Sequence, residues 1–97
     1  MGTKENQVSS FGYEQLAVTT VAVGFAGANI SKAYGSFIRN RGASDVNWRA
    51  DGTNPTSTVG QQLKSGEALD FNGQINRLKF ICDGAGASAT LDADHYA

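Results

Sequence analysis

Trp48-Arg49-Ala50-Asp51-Gly52-Thr53-Asn54-Pro55-Thr56, followed by Gly60, Leu63, Gly66, Glu67 and Leu69, is the stretch that decides the fold class. Val46, Trp48 and Ala50 alternate with Asn47, Arg49 and Asp51. A two-residue period belongs to a strand with one face buried. Asp51-Gly52 ends it, because glycine accepts the positive φ of a tight turn. Pro55 has no N–H to give a ladder, so a loop or sheet edge follows. The stretch reads as strand, turn, loop and strand, and it holds no nucleophile, base or metal cluster.

The same grammar runs outward in both directions. Strands are expected at Tyr13–Thr19, Thr20–Phe25, Gly35–Asn40, Val46–Asp51, Gly60–Leu63, Ala68–Phe71, Arg77–Cys82 and Ala89–Tyr96. Arg41–Asp45 is read as the turn of a hairpin whose arms are Gly35–Asn40 and Val46–Asp51. Lys64-Ser65-Gly66-Glu67, Asn72-Gly73 and Asp83–Ala87 carry turn chemistry. One helical turn is expected near Asn29–Ala33. No window keeps apolar residues at i, i+3, i+4 and i+7 over three turns, and 12 glycines spread along the chain disfavour long helices. The expected fold is all-β: a small antiparallel β-sandwich or jelly-roll-like barrel of seven or eight short strands.

At 97 residues the chain is read as one domain, residues 11–97, behind a flexible polar arm, residues 1–10. A domain of this size buries roughly 60–65% of the surface its unfolded chain exposes. Eight Lys and Arg stand against nine Asp and Glu, a net charge of −1, which leaves no electrostatic footprint for nucleic acid or an acidic membrane. No apolar run is long enough for a membrane span. The N-terminal residues lack the apolar core of a signal peptide and the Ser or Thr of a myristoylation signal. A single cysteine excludes an intrachain disulfide and a thiolate zinc cage.

The candidate chemistry is sparse. His95 is the only histidine, so a Ser-His-Asp or Cys-His site would have to use it. It stands close to the chain end and is read as structural or exposed. Asp92 and Asp94 share a strand face, but His95 points to the other, so the trio is no metal site. Cys82 falls on the Leu78 and Phe80 face and is read as core. Asp51-Gly52-Thr53-Asn54 lacks the spacing of a calcium loop, and Gly84-Ala85-Gly86 is no phosphate loop. Trp48 sits inside an alternating run and is read as a core residue, the other reading being a sugar-stacking or interface position. Phe11 and Tyr13 beside the arm, and Tyr96 at the far end, are the interface candidates. No catalytic set, cofactor or metal is expected.

Gly12-Tyr13-Glu14-Gln15-Leu16-Ala17-Val18-Thr19, the central Arg49–Thr56 run with Gly60 and Leu63, the Gly66-Glu67-Ala68-Leu69 turn, and the late Arg77–Ile81 and Ala89-Thr90-Leu91 segments together resemble a group of small β-sandwich virion proteins of tailed bacteriophages. The resemblance covers most of the chain from Gly12 onward and is weakest over Gly24–Tyr34. The last strand departs from it: Asp92, Asp94 and His95 stand where apolar, β-branched residues are expected. The resemblance implies a non-enzymatic structural protein of the virion, a capsid decoration or head-accessory subunit. It implies self-association, a homotrimer being favoured, contact with the phage capsid or other virion proteins, and assembly in the host cytoplasm. The alternative is a carbohydrate- or cell-surface-binding β-sandwich module, which needs Trp48 or several tyrosines exposed on one face.

Overall fold

The computed structural model describes residues 10–27, 30–84 and 86–96. Seven strands form among these residues: β1 (Ser10–Val18), β2 (Gly35–Asn40), β3 (Val46–Arg49), β4 (Gln61–Leu63), β5 (Ala68–Asn72), β6 (Lys79–Cys82) and β7 (Ala89–Tyr96). They make two antiparallel sheets. The four-stranded sheet has the order β1-β7-β2-β5 and the three-stranded sheet the order β4-β3-β6. The chain is therefore all-β, and neither sheet closes on itself, which removes the barrel alternative. The expected helical turn is a short 3-10 turn at Ile30–Lys32, and a second one spans Ile75–Arg77. Residues 1–9 of the expected arm lie outside the described residues, and Ser10 opens β1.

Alternation turns one face of each sheet toward a shared core. Along β7, Ala89, Leu91, Ala93 and His95 are buried, while Thr90, Asp92, Asp94 and Tyr96 face outward. Register then aligns inward residues on the neighbours: Leu16 opposite Leu91, Val18 opposite Ala89, Ile38 opposite Ala93 and Ser36 opposite His95. From the second sheet come Val46, Leu63, Phe80 and Cys82, with Ile75 from the 3-10 turn between β5 and β6 and Leu78 just after it. These side chains form one continuous core. Fully burying a residue such as Leu91 or Phe80 stabilises the fold by about 1.5–3 kcal/mol.

The expected hairpin of Gly35–Asn40 with Val46–Asp51 does not form. β2 pairs with β5 and β7, while β3 pairs with β4 and β6 in the other sheet. Residues 41–45 cross between the sheets instead of turning back. Asn40 explains the diversion. Its buried amide donates to the carbonyls of Ser44 and Leu63, at 2.9 and 3.1 Å, and its carbonyl oxygen accepts from the Gly42 N–H at 2.9 Å. Gly42 presses against β7 so closely that a Cβ would stand 2.4 Å from the Ala89 Cα, which admits only glycine.

Thr20–Phe25 is likewise not a full strand. It makes a single bridge, in which Val23 and Phe80 exchange backbone bonds of 2.9 and 2.8 Å. A third bond, from the Cys82 N–H to the Thr19 carbonyl, helps cover the outer edge of β6. Val21 is exposed, whereas Phe25 is buried. A two-residue bridge cannot enforce alternation along the whole segment.

Candidate functional site

Three places gather chemistry-bearing side chains. The first is internal. Glu14 on β1, His95 on β7 and Ser36 on β2 lie on the inner face of the larger sheet. His95 is 3% exposed and Ser36 0%. The His95 Nδ1 lies 2.9 Å from the Ser36 Oγ, and its Nε2 lies 3.1 Å from the Glu14 Oε1. A carboxylate accepts, so Nε2 donates to Glu14, and in the neutral imidazole that leaves Nδ1 to accept from the Ser36 hydroxyl. Glu14 also accepts from two backbone amides, Ala26 at 2.9 Å and Gly27 at 3.1 Å. The cluster thus ties the irregular 20–27 segment to the sheet.

The order carboxylate, imidazole, hydroxyl is that of a serine-hydrolase relay. Here the groups are packed in. The imidazole stands edge-to-face against Phe25 at 4.7 Å, and a Cβ on Gly12 would stand 3.8 Å from its Cδ2. The Ser36 hydroxyl has no exposed surface, and none of the three described concavities is lined by Ser36 or His95. Among the described residues no concavity opens onto the Ser36 Oγ, and the arrangement acts as a clamp. Every buried side-chain polar atom among the described residues has a partner. This matters because an orphaned one costs roughly 1–3 kcal/mol.

The second place is the outer face of the same sheet. Register sets Tyr13, Asp94, Phe37 and Asp70 in one row across β1, β7, β2 and β5. Gln15, Asp92 and Arg39 form the next row. Tyr13 is 60% and Phe37 40% exposed. Between them lies a shallow depression of about 220 Å³, lined by Tyr13, Phe37, Arg39, Asp92, Ala93 and Asp94. Asp92 accepts from the Gln15 amide at 3.0 Å and from Arg41 at 3.1 Å. Partial desolvation pushes the Asp92 carboxyl up. The bonds from Gln15, Tyr13 and Arg41 outweigh it and hold the group below the usual carboxylate range. Desolvation and the neighbouring Asp92 carboxylate raise the Tyr13 phenol, which stays neutral. Of the expected interface residues, Tyr13 lies in this face. Tyr96 is half-buried on the same face, and the Phe11 side chain lies outside the described residues.

The third place is the end of β3. Trp48 is half-buried, its ring edge-to-face with Phe71 at 5.9 Å. A concavity of about 520 Å³ opens there, lined by Trp48, Arg49, Ala50, Asp51, Gly60, Gln61 and Phe71.

Cys82 is buried, its thiol 3.2 Å from the Val18 carbonyl, and burial pushes the thiol up. Asp92 and Asp94 face away from His95, and no group of metal-ligating side chains forms among the described residues. No helix is long and apolar enough to cross a membrane. No protein-family model, curated protein or solved structure matches this chain.

Proposed function

We propose that this chain is a structural subunit of a tailed-phage virion, a capsid-decoration or head-accessory protein. It works by binding copies of itself and the shell, and it performs no chemistry. The observation that carries the reading is the Tyr13–Asp94–Phe37–Asp70 row, where two exposed aromatics lie on a sheet face that no other layer of the described fold covers. Flat aromatic surface ringed by charge is what protein interfaces use: the aromatics supply buried area and the rim supplies register. β1 adds to this. It is nine residues long and forms an edge of its sheet, with no strand on its other side among the described residues. A long edge strand is a template for pairing with another chain.

The resemblance of the turn and strand residues to those of small phage virion proteins is the second line of support. The two-sheet stack then serves as the β-sandwich of such a subunit. A closed ring of copies, a homotrimer above all, satisfies the edge and the face together. The virion is where the subunit resides, after assembly in the host cytoplasm. Light scattering on the purified protein should give an oligomer at high concentration, and the protein should co-sediment with purified phage heads stripped of their accessory proteins. A monomer at every concentration that also fails to sediment with heads would overturn the reading.

A further inference from the structure

The most ordered motif of the sequence, Trp48 to Thr56, plays no part in the assembly face. It builds the 520 Å³ concavity at the end of β3 instead. The loop is held in shape from several sides. Gly52 takes a positive φ of 83°, and its N–H donates to the Arg77 carbonyl at 3.1 Å. Arg77 in turn donates to the Asp51 carbonyl at 2.8 Å, and the Asn47 amide donates to the Thr56 carbonyl at 2.9 Å. Gly60 passes under the site with a φ of 138°. A Cβ there would stand 3.0 Å from the Trp48 carbonyl oxygen. The walls are therefore preformed, which lowers the ordering cost of binding.

The lining combines aromatic rings with planar polar groups. Trp48 and Phe71, set edge-to-face, give the aromatic wall. Gln61, directly opposite Trp48 in the β3–β4 register, adds an amide that both donates and accepts. The Asp51 carboxylate accepts from Arg49 Nε and Nη2 and from the Thr53 N–H. The Arg49 bond, then the Thr53 bond, hold the Asp51 carboxyl below its ordinary value, so it is an ionised acceptor near neutral pH. At 52% side-chain exposure it keeps lone pairs for a ligand, and Arg49 keeps Nη1 as a donor. Arg49 and Asp51 cancel in charge, which disfavours a charged ligand. A pyranose matches this set: its C–H face packs on an aromatic ring, and its vicinal hydroxyls suit side chains that both donate and accept.

We infer that the Trp48–Phe71 concavity binds a neutral saccharide unit, its ring on the aromatics and its hydroxyls on Arg49, Asp51 and Gln61. The site is separate from the assembly face and does not rest on it. Trp48 is the only tryptophan, so its emission reports on this site alone. The probes are chitobiose, maltose, cellobiose and lactose, titrated against the full chain. At least one should change the Trp48 emission saturably with a Kd on the order of millimolar. The Asp51→Ala and Gln61→Ala variants alter exposed side chains and should weaken that binding by roughly tenfold or more, with the far-ultraviolet circular dichroism of the parent. No saturable change with any of the four sugars would overturn the proposal. So would binding that is unaltered in both variants while their circular dichroism matches the parent. Light scattering reads the assembly face independently, so one proposal can fail without the other.

Discussion

The two faces of the four-stranded sheet are built from alternate residues of the same strands and have opposite characters. Inward, Leu91, Ala93 and Ile38 pack in the core, and even the polar trio is enclosed: Ser36 and His95 are buried, Glu14 is half-buried, and the three are paired with one another. Outward, Tyr13, Phe37, Arg39 and Asp94 line a depression open to solvent. The difference teaches that reactive groups do not make a site unless something can reach them. The relay around His95 has the better chemistry, and no concavity among the described residues reaches its hydroxyl. The row around Phe37 has no chemistry and full access.

That contrast can be broken at several points. Leu91→Ala on β7 should cost about 2–5 kcal/mol, whereas its neighbour Thr90→Ala should stay within about 0.5 kcal/mol. Urea unfolding of the two variants measures the gap, and equal losses would deny that the strand alternates as described. His95→Ala removes two hydrogen bonds and leaves the buried Ser36 hydroxyl without its partner, so a loss of about 3 kcal/mol is expected. For a domain of this length that lowers Tm by more than about 10 °C. A thermal melt unchanged by the substitution would show that the trio is not a clamp.

Cys82 tests the seal of the core from the other sheet. A thiol-specific disulfide reagent should label it only as fast as the chain unfolds, since a buried, neutral thiol is a poor nucleophile. Rapid labelling of the native protein would mean that the sheets part. The smallest effect belongs to Asp92 on the outer face. Its folded carboxyl is held below the ordinary value. Its bonds therefore add stability that is fully present above the unfolded-state value of about 3.9, and this is lost as pH falls through the lower folded value. Asp92→Asn should remove that small contribution at neutral pH and make the acid limb of the stability profile shallower, parent and variant converging once Asp92 is protonated.

Strands whose alternation is complete were legible in the sequence. Gly35–Asn40 and Ala89–Tyr96 are bounded in the structure as the pattern bounds them. The last strand holds although Asp92 and Asp94 replace apolar residues, because both fall on the solvent face. Pairing was less legible. Arg41–Asp45 has the composition of a hairpin turn, and only the Asn40 side chain, bonded to Leu63 far along the chain, reveals the crossover. The Glu14–Ser36–His95 cluster joins residues 59 and 81 positions apart, which no local motif records. A parity signal did exist. Glu14 keeps step with Leu16 and Val18, Ser36 with Ile38, and His95 with Leu91 and Ala93. Polar residues in apolar phase on three strands mark a buried network once the register is known.

The account turns on the outer face, and Phe37 is the place to strike it. Phe37 lies between Asp94 and Asp70 in register, so Phe37→Arg gains two carboxylate neighbours and should leave the fold of one copy intact. Sedimentation equilibrium across a concentration series should show the parent chain associating and Phe37→Arg holding at the mass of a single chain, with equal melting temperatures. A parent that never associates, or a variant that associates as the parent does, would contradict the claim that this face joins one subunit to the next.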